Sequence, residues 1–316
     1  MTVFTLPAEP MIPVADDHVP KESGWIYQIK WDGVRIVATV HDEGRIDLFS
    51  RKLLNKNAVY PEIHRTLQEQ AEALGPCMLD GEIVYYDGER PNFQMVLSRE
   101  RSFGGDLSSS SSKGKVLYVL FDLLQDGEED LRPLPYAERH KRLLAKLKPV
   151  QSDRLLIADL YTDADALWKW VDDHQWEGIV SKRLDSSYKE GKAHRDWLKK
   201  KRALLLDVGI VGVKRRDGRA ASLVMSDQGR FIGSVSLGLD EAMREALGQM
   251  LQLRRSDAPS WPMPFPALPA ELKGESIIWL PSPLPCRVTG LELTSAGLLR
   301  HPKLVSFGLK PSGGHS

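Results

Sequence analysis

The sequence predicts an α+β chain in which antiparallel sheets with flanking helices are followed by a small all-β barrel. Three observations predict it. From Trp25 onward, short apolar stretches alternate with Asp-Gly and Gly-containing turns, the pattern of antiparallel strands. Stretches with apolar residues at helical spacing lie between them. After Arg202 the texture changes to short strands with a single helix.

In order, residues 1–24 are rich in proline and polar groups and read as an extended lead-in. Trp25–Lys30 and Arg35–His41 read as strands around a tight Asp32-Gly33 turn. Asp42-Glu43-Gly44 is a second turn leading to Ile46–Ser50, which makes a hairpin. Pro61–Leu74 carries Ile63, Leu67, Ala71 and Leu74 on one helical face. Met78–Tyr86 reads as a strand interrupted by Asp80-Gly81-Glu82, and Pro91–Glu100 as a short helix. Gly104–Lys115 holds the serine run Ser108–Ser112 between glycines, a low-complexity stretch expected to be mobile. Val116–Leu124 is an apolar strand containing Phe121-Asp122. Tyr136–Leu147 and Ala164–His174 read as helices and Ile179–Lys182 as a short strand. Beyond Arg202, Leu204–Val213, Ala220–Met225 and Arg230–Ser236 read as strands. A helix over Asp240–Leu253 follows. Then comes a proline-rich stretch (Pro259, Pro262, Pro264, Pro266, Pro269) and a last strand, Arg287–Thr294. This suits a barrel of the OB type, which often binds nucleic acid, although other small β folds fit the same pattern. The domains are therefore expected at 1–202 and 203–316.

The chain has 316 residues, enough for two ordinary cores, and its 27% charged and 42% hydrophobic residues are those of a soluble globular protein. No apolar run approaches the ~20 residues of a membrane span. The N-terminus lacks a basic segment followed by an apolar one, so no secretory signal is read. Cys77 and Cys286 are isolated, which argues against a structural zinc site and suits a reducing compartment, the cytoplasm. Formal net charge is +0, but residues 1–202 hold 30 basic against 33 acidic groups and residues 203–316 hold 13 against 10. Two basic clusters stand out: Lys199-Lys200-Lys201-Arg202 and Lys214-Arg215-Arg216. Alone, each reads as a solvated surface.

The chemistry-bearing segment is Lys30-Trp31-Asp32-Gly33-Val34-Arg35. A lysine amine attacks only when deprotonated, and in water roughly one in a few thousand is neutral at pH 7. A nucleophilic lysine therefore needs burial, nearby cations or a metal. Lys199, Lys201 and Arg35 are candidate cations. Asp80-Gly81-Glu82 and Glu177-Gly178-Ile179-Val180-Ser181-Lys182 each place an acid at a strand turn. Lys199 and Lys201 are two apart, so on a strand they share a face. One amine, two carboxylates and several cations suit Mg²⁺ (or Mn²⁺) ligation and an α-phosphate gaining charge. Trp31 reads equally as core or as a shield for the pocket.

The order and spacing of these segments resemble the covalent nucleotidyltransferase superfamily, and within it ATP-dependent DNA ligases, over about residues 25–202 and more weakly to about 307. The resemblance implies an ATP-grasp-like nucleotidyltransferase domain for adenylation, then an OB barrel. It implies Lys30 as the adenylated residue, with Arg35 and Arg51 contacting sugar and phosphates. Glu82 would contact the ribose, Phe121 would stack on adenine, and Lys182 would close its motif at the nucleotide. Glu177, with Glu82, would meet the metal, and Lys199 and Lys201 would hold the α-phosphate. Lys214, Arg215 and Arg216 would grip DNA. The sequence is most similar to the ligases of bacterial non-homologous end joining, the LigD type: Val288–Leu293 and Leu299-Arg300-His301-Pro302-Lys303 look like that group's C-terminal segment. That resemblance implies nicked double-stranded DNA as substrate, Ku and an end-joining polymerase or primase as partners, a monomer, and a nucleoid-associated location.

Two positions depart from the pattern. Where the group carries Arg-x-Asp-Lys to orient pyrophosphate, this sequence reads Phe307-Gly308-Leu309-Lys310, leaving Arg300 and Lys303 as candidates for part of that role. Relatives carry Glu where Gln28 stands, two residues before the lysine; a glutamine oxygen still accepts from the adenine amino group. The alternatives are an RNA ligase or capping-type nucleotidyltransferase, and a non-catalytic DNA-end-binding module.

Overall fold

The computed structural model describes residues 2–101, 114–191, 194–252, 261–294 and 296–308. The serine run Ser108–Ser112, Leu253, Pro259, Leu309 and Lys310 lie outside the described residues. Two compact units are present, Met1–Arg202 and Ala203–Ser316.

The first unit contains ten strands and five helices among the described residues. The strands are β1 (Val14–Ala15), β2 (Trp25–Lys30), β3 (Val34–Val40), β4 (Ile46–Ser50), β5 (Cys77–Tyr86), β6 (Lys115–Asp126), β7 (Glu129–Asp130), β8 (Leu155–Ile157), β9 (Gly178–Arg183) and β10 (Trp197–Lys201). The helices are α1 (Pro61–Glu69), α2 (Ala71–Leu74), α3 (Phe93–Arg101), α4 (Tyr136–Leu147) and α5 (Ala164–Asp173). One sheet runs β1-β10-β9-β2; the other runs β4-β3-β5-β6-β7, with β8 parallel to β6. The larger core joins the second sheet to the buried stripes of α1 (Ile63, Leu67) and α4 (Leu143, Leu147). The fold is thus the expected α+β arrangement of antiparallel sheets with flanking helices.

Three local expectations are corrected. First, β2 and β3 do not pair around Asp32-Gly33. β2 pairs with β9 and β3 with β4 and β5, so Trp31–Gly33 carries the chain from one sheet to the other. Gly33 is pressed onto β5: a Cβ there would lie 2.2 Å from the Ile83 carbonyl oxygen. Its role is close approach, not a hairpin turn. Second, β5 is continuous, and Glu82 sits within it opposite Arg35 of β3. Gly81 marks a register shift against β6, where a Cβ would lie 2.6 Å from Tyr118 and from the Val119 oxygen. Third, the helix expected over Pro61–Leu74 is two, broken at Gln70.

The second unit contains β11 (Leu204–Arg216), β12 (Arg219–Asp227), β13 (Arg230–Val235), α6 (Glu241–Gln252), β14 (Ser276–Gly290), β15 (Glu292–Leu293), β16 (Leu299–Arg300) and β17 (Lys303–Phe307). Its main sheet runs β13-β12-β11-β14-β17. Leu237, just past β13, bridges Lys303 of β17, so the two edges curl towards each other in the OB manner. The core is Ile210, Leu223, Met225, Val235, Cys286 and Val288 with Leu247 of α6. The strand expected at Arg287–Thr294 begins earlier, at Ser276, and is not the last. Its prolines hid it. Pro281 and Pro283 fall where the β11 pairing jumps from Trp279 to Leu284, so neither breaks a ladder hydrogen bond.

Candidate active site

Lys30 is the final residue of β2, at the point where the chain leaves the first sheet for the second. A cavity of about 480 Å³ opens there, within the usual range for a small-molecule site. Both sheets contribute to its lining, including Gln28, Lys30, Arg35, Glu82, Phe121, Lys182 and Lys199. Sequence-distant segments meet because β9 pairs with both β2 and β10, placing Lys30 opposite Gly178 and Val180 opposite Lys199.

The Lys30 amine donates to Glu177 Oε2 at 2.6 Å, and the Lys201 amine lies 2.9 Å from Glu177 Oε1. One carboxylate thus bridges two ammonium groups, all three side chains being 13–21% exposed. Lys199 lines the cavity, whereas Lys200 stacks over Trp168 at 4.2 Å, as strand alternation requires. Glu82 lines the cavity too. Burial pushes its carboxyl up to about 8, against the pull of Lys30 and Arg35, and Glu177 adds to the rise.

Arg35 is placed differently from a free sugar-contacting cation. Its fork is taken by Asp80, at 2.9 Å (Nε to Oδ1) and 2.6 Å (Nη2 to Oδ2), and Nη1 donates to the Met11 carbonyl. Tyr188 donates to the same carboxylate at 2.8 Å. Burial opposes the charge of Arg35, but Asp80 with Tyr188 and Glu82 more than offsets it and raises the affinity of Arg35 for its proton. Arg35 is therefore a braced wall of the cavity, with Phe121 5.2 Å away over the guanidinium.

Lys182 is enclosed by aromatic rings. Its amine stands 4.0 Å from the Trp197 ring centre, 4.4 Å from Tyr136 and 4.5 Å from Phe121. It is 2% exposed, and burial pushes it down to about 7 although Asp122 pulls the other way. Gln28, also 2% exposed, anchors its amide nitrogen on the Ala158 oxygen at 3.0 Å. That leaves the amide oxygen as the end suited to a base amino group. The turn after β4 brings Arg51 to the rim, with Lys52 beside it.

Sequence reasoning missed Lys56 and Glu100, which pair at the cavity wall while Tyr60 donates to Glu100 at 2.7 Å. They lie 44 residues apart with no motif around them, so no sequence signal marks them. Asp80 was visible as part of an acidic segment but not as the partner of Arg35. In the second unit, Lys214, Arg215 and Arg216 end β11. Lys214 is only 13% exposed and faces Glu275 at 3.5 Å, Arg215 donates to the Gly218 oxygen at 2.8 Å, and both arginines are exposed.

Residues 10–201 match the family model for the ATP dependent DNA ligase domain. The chain belongs to that family. It is 30% identical over 265 residues to the bifunctional non-homologous end joining protein LigD of Bacillus subtilis, which covers 79% of this chain and 43% of that protein. It is 32% identical over 268 residues to a DNA ligase of Natronomonas pharaonis, covering 78% and 46%. The chain thus spans less than half the length of these curated relatives. The crystal structure of the ligase domain from M. tuberculosis LigD matches 95% of both chains at 29% identity and a TM-score of 0.55. A mycobacterial DNA ligase D complexed with ATP and MES matches at a TM-score of 0.54 and 29% identity. The LigD-type ligase resemblance read from the motifs is therefore correct. No described helix is long and apolar enough to cross a membrane.

Two carboxylates near one amine are oxygen donors suited to a hard divalent cation. Among the described residues no group of three or more Asp, Glu, His or Cys side chains is arranged to hold a metal ion. Glu82 and Glu177 would leave most positions of an ion to water and phosphate, as Mg²⁺ prefers, and a cation there would offset the burial that chiefly raises Glu82 and the smaller repulsion from Glu177.

Proposed function

We propose that this chain seals 5′-phosphate/3′-hydroxyl nicks in double-stranded DNA through a lysyl-AMP intermediate on Lys30. The observation that carries the reading is the Lys30 amine at the cavity, held by Glu177 with Lys199 and Lys201 beside it. In the first step the Lys30 amine gives up a proton to solvent and attacks the α-phosphate of ATP, the bond to pyrophosphate breaks and pyrophosphate leaves, and AMP stays on Nζ as a phosphoramidate after loss of a second proton. AMP then passes to the 5′-phosphate of the nick, and the 3′-hydroxyl displaces it. All three are in-line displacements at phosphorus, so positioning and charge neutralisation dominate. Glu177 orients the amine, Lys199 and Lys201 face the developing charge, and Glu82 takes the ribose. Phe121 flanks the base, with Lys182 behind it, and Gln28 favours ATP over GTP by accepting from the adenine amino group. Arg35 and Arg51 shape the sugar and phosphate side. Mg²⁺ or Mn²⁺, held by Glu82 and Glu177, would supply charge neutralisation at the phosphates.

Met1–Arg202 serves adenylation and Ala203–Ser316 is the OB unit, with Lys214, Arg215 and Arg216 on its DNA side. The names of the LigD relatives, non-homologous end joining proteins, support a role in end joining. In that role Ku and a polymerase or primase would be its partners, and the chain would act as a cytoplasmic monomer in double-strand break repair. The test is incubation with labelled ATP and Mg²⁺, then with 5′-phosphorylated nicked duplex. The wild-type protein forms a covalent AMP adduct and seals the nick, whereas Lys30→Ala does neither. An adduct on the Lys30→Ala protein sinks the assignment, and equal labelling by ATP and GTP sinks the base preference.

A further inference from the structure

Resting on that reading, we infer that Trp176 is a positioning residue for adenylation, acting on Lys30 through Glu177 by clasping Trp31. The ladder between β2 and β9 ends at the Lys30–Gly178 pair. The carboxylate that holds the amine is thus on Glu177, one residue outside the paired strand. Gly178 cannot help fix it by side-chain packing, because a Cβ there would lie 2.1 Å from the Lys200 oxygen. What joins the two departing chains is aromatic. Trp31 follows Lys30 and Trp176 precedes Glu177, and their rings meet edge to face, with centres 5.0 Å apart and planes at 71°.

The contact lies beside the ion pair in sequence on both chains. The distance between Trp31 and Trp176 therefore limits the distance between amine and carboxylate. Trp176 is itself well held. It is 8% exposed, its amide donates to the Val171 oxygen at 2.9 Å, and its carbonyl accepts from Arg202. The preceding Gln175 takes φ 57°, a left-handed conformation that turns the chain out of α5 towards β9. Trp31 lines the cavity and Trp176 does not, so the pair transmits position from the protein interior to the reacting end. Trp170 also meets Trp176, at 5.2 Å; it is 38% exposed, does not line the cavity, and serves as the control.

The experiment compares Trp176→Leu, which keeps apolar bulk, Trp176→Phe, which keeps a ring, and Trp170→Leu in single-turnover lysyl-AMP formation over a range of ATP concentrations. Misplacement of a reacting group by about 1 Å costs up to about 100-fold. Trp176→Leu is therefore expected to slow the adenylation step at least about ten-fold, with half-saturating ATP within about two-fold of wild type. Trp176→Phe should recover most of the rate, and Trp170→Leu should match wild type. Circular dichroism melts establish that each variant is folded; if Trp176→Leu does not fold, the Trp176→Phe and Trp31→Leu rates decide, the first near wild type and the second slowed. Wild-type rates for folded Trp176→Leu, or a rise in half-saturating ATP at unchanged maximal rate, overturn the inference. Failure of the wild-type protein to form an adduct overturns the proposed function instead.

Discussion

Removing the Asp122 carboxylate should destabilise the first unit more than any surface change, and the structure gives the size. Asp122 and Arg139 are both 0% exposed and form a two-pronged pair, with Nε to Oδ1 and Nη2 to Oδ2 each at 2.8 Å. The remaining Arg139 donor, Nη1, is satisfied by the Leu134 and Ser186 oxygens at 2.6 and 3.0 Å. Asp122→Ala strands the guanidinium with two donors unpaired and its charge uncompensated in the core. Breaking a buried pair from one side costs about 3–5 kcal/mol. For a unit the size of Met1–Arg202, each kcal/mol shifts Tm by about 2–4 °C, so the melt should fall by about 6–20 °C. The double variant Asp122→Ala/Arg139→Met removes the stranded charge and should recover most of the loss. Scanning calorimetry measures both. The site should feel the change as well, because the neighbouring Phe121 carbonyl accepts from Tyr136 of the same helix at 3.0 Å. A Tm for Asp122→Ala within about 2 °C of the parent, or a double variant no more stable than the single, would refute the reasoning.

Two further outcomes are expected. Gly33→Ala puts a Cβ 2.2 Å from the Ile83 oxygen and 2.8 Å from Val84, so the Trp31–Gly33 connection must shift and carry Lys30 with it. Adduct formation measured with labelled ATP should fall about 100-fold, and a near-normal rate would show that the close approach is not needed. Glu82 is pushed up to about 8 from an ordinary 4.5 by burial, so between those values the folded state binds more protons than the unfolded one. Its contribution to stability is full below about 4.5 and is lost as pH rises through about 8. Urea unfolding from pH 5 to pH 9 should show this decline in the parent and a flatter profile in Glu82→Gln; identical slopes would contradict it.

The residues of the candidate site were legible in the sequence because they lie in short segments whose residue types have few other uses together. Lys30, Glu82, Glu177 and Lys199 were each visible beside a glycine, a strand or a lysine partner, and the structure sets them within one unit around one cavity or its edge. Strand pairing was less legible. Asp32-Gly33 has the composition of a hairpin turn, and composition does not distinguish a turn from a crossing between sheets. Only the contact of Gly33 with Ile83, fifty residues on, decides it. Prolines hid β14 for a related reason, since a proline breaks a strand only where its missing N–H would have been paired. Residues that act through contacts between distant segments, such as Lys56 with Glu100 or Trp31 with Trp176, carry no local signature.

The same crossing explains why the lysine stands where it does. A lysine on a packed face of a sheet has its charge buried among neighbours, as Lys182 of β9 does. At the end of β2 the amine keeps 20% of its side chain exposed, yet its partner Glu177 is anchored by backbone to Arg202 and by its neighbouring ring to Trp31. The amine is therefore reachable from the cavity while the carboxylate that holds it is fixed just ahead of β9. Gly33 lies close against β5 and Gly178 close against β10, and at both a single methyl group would collide with a carbonyl oxygen. The glycine of the lysine segment thus seats the chain after Lys30 on β5, and the glycine of the Glu177 segment seats the start of β9 on β10, so the amine and the carboxylate that meets it are each fixed by a neighbouring strand.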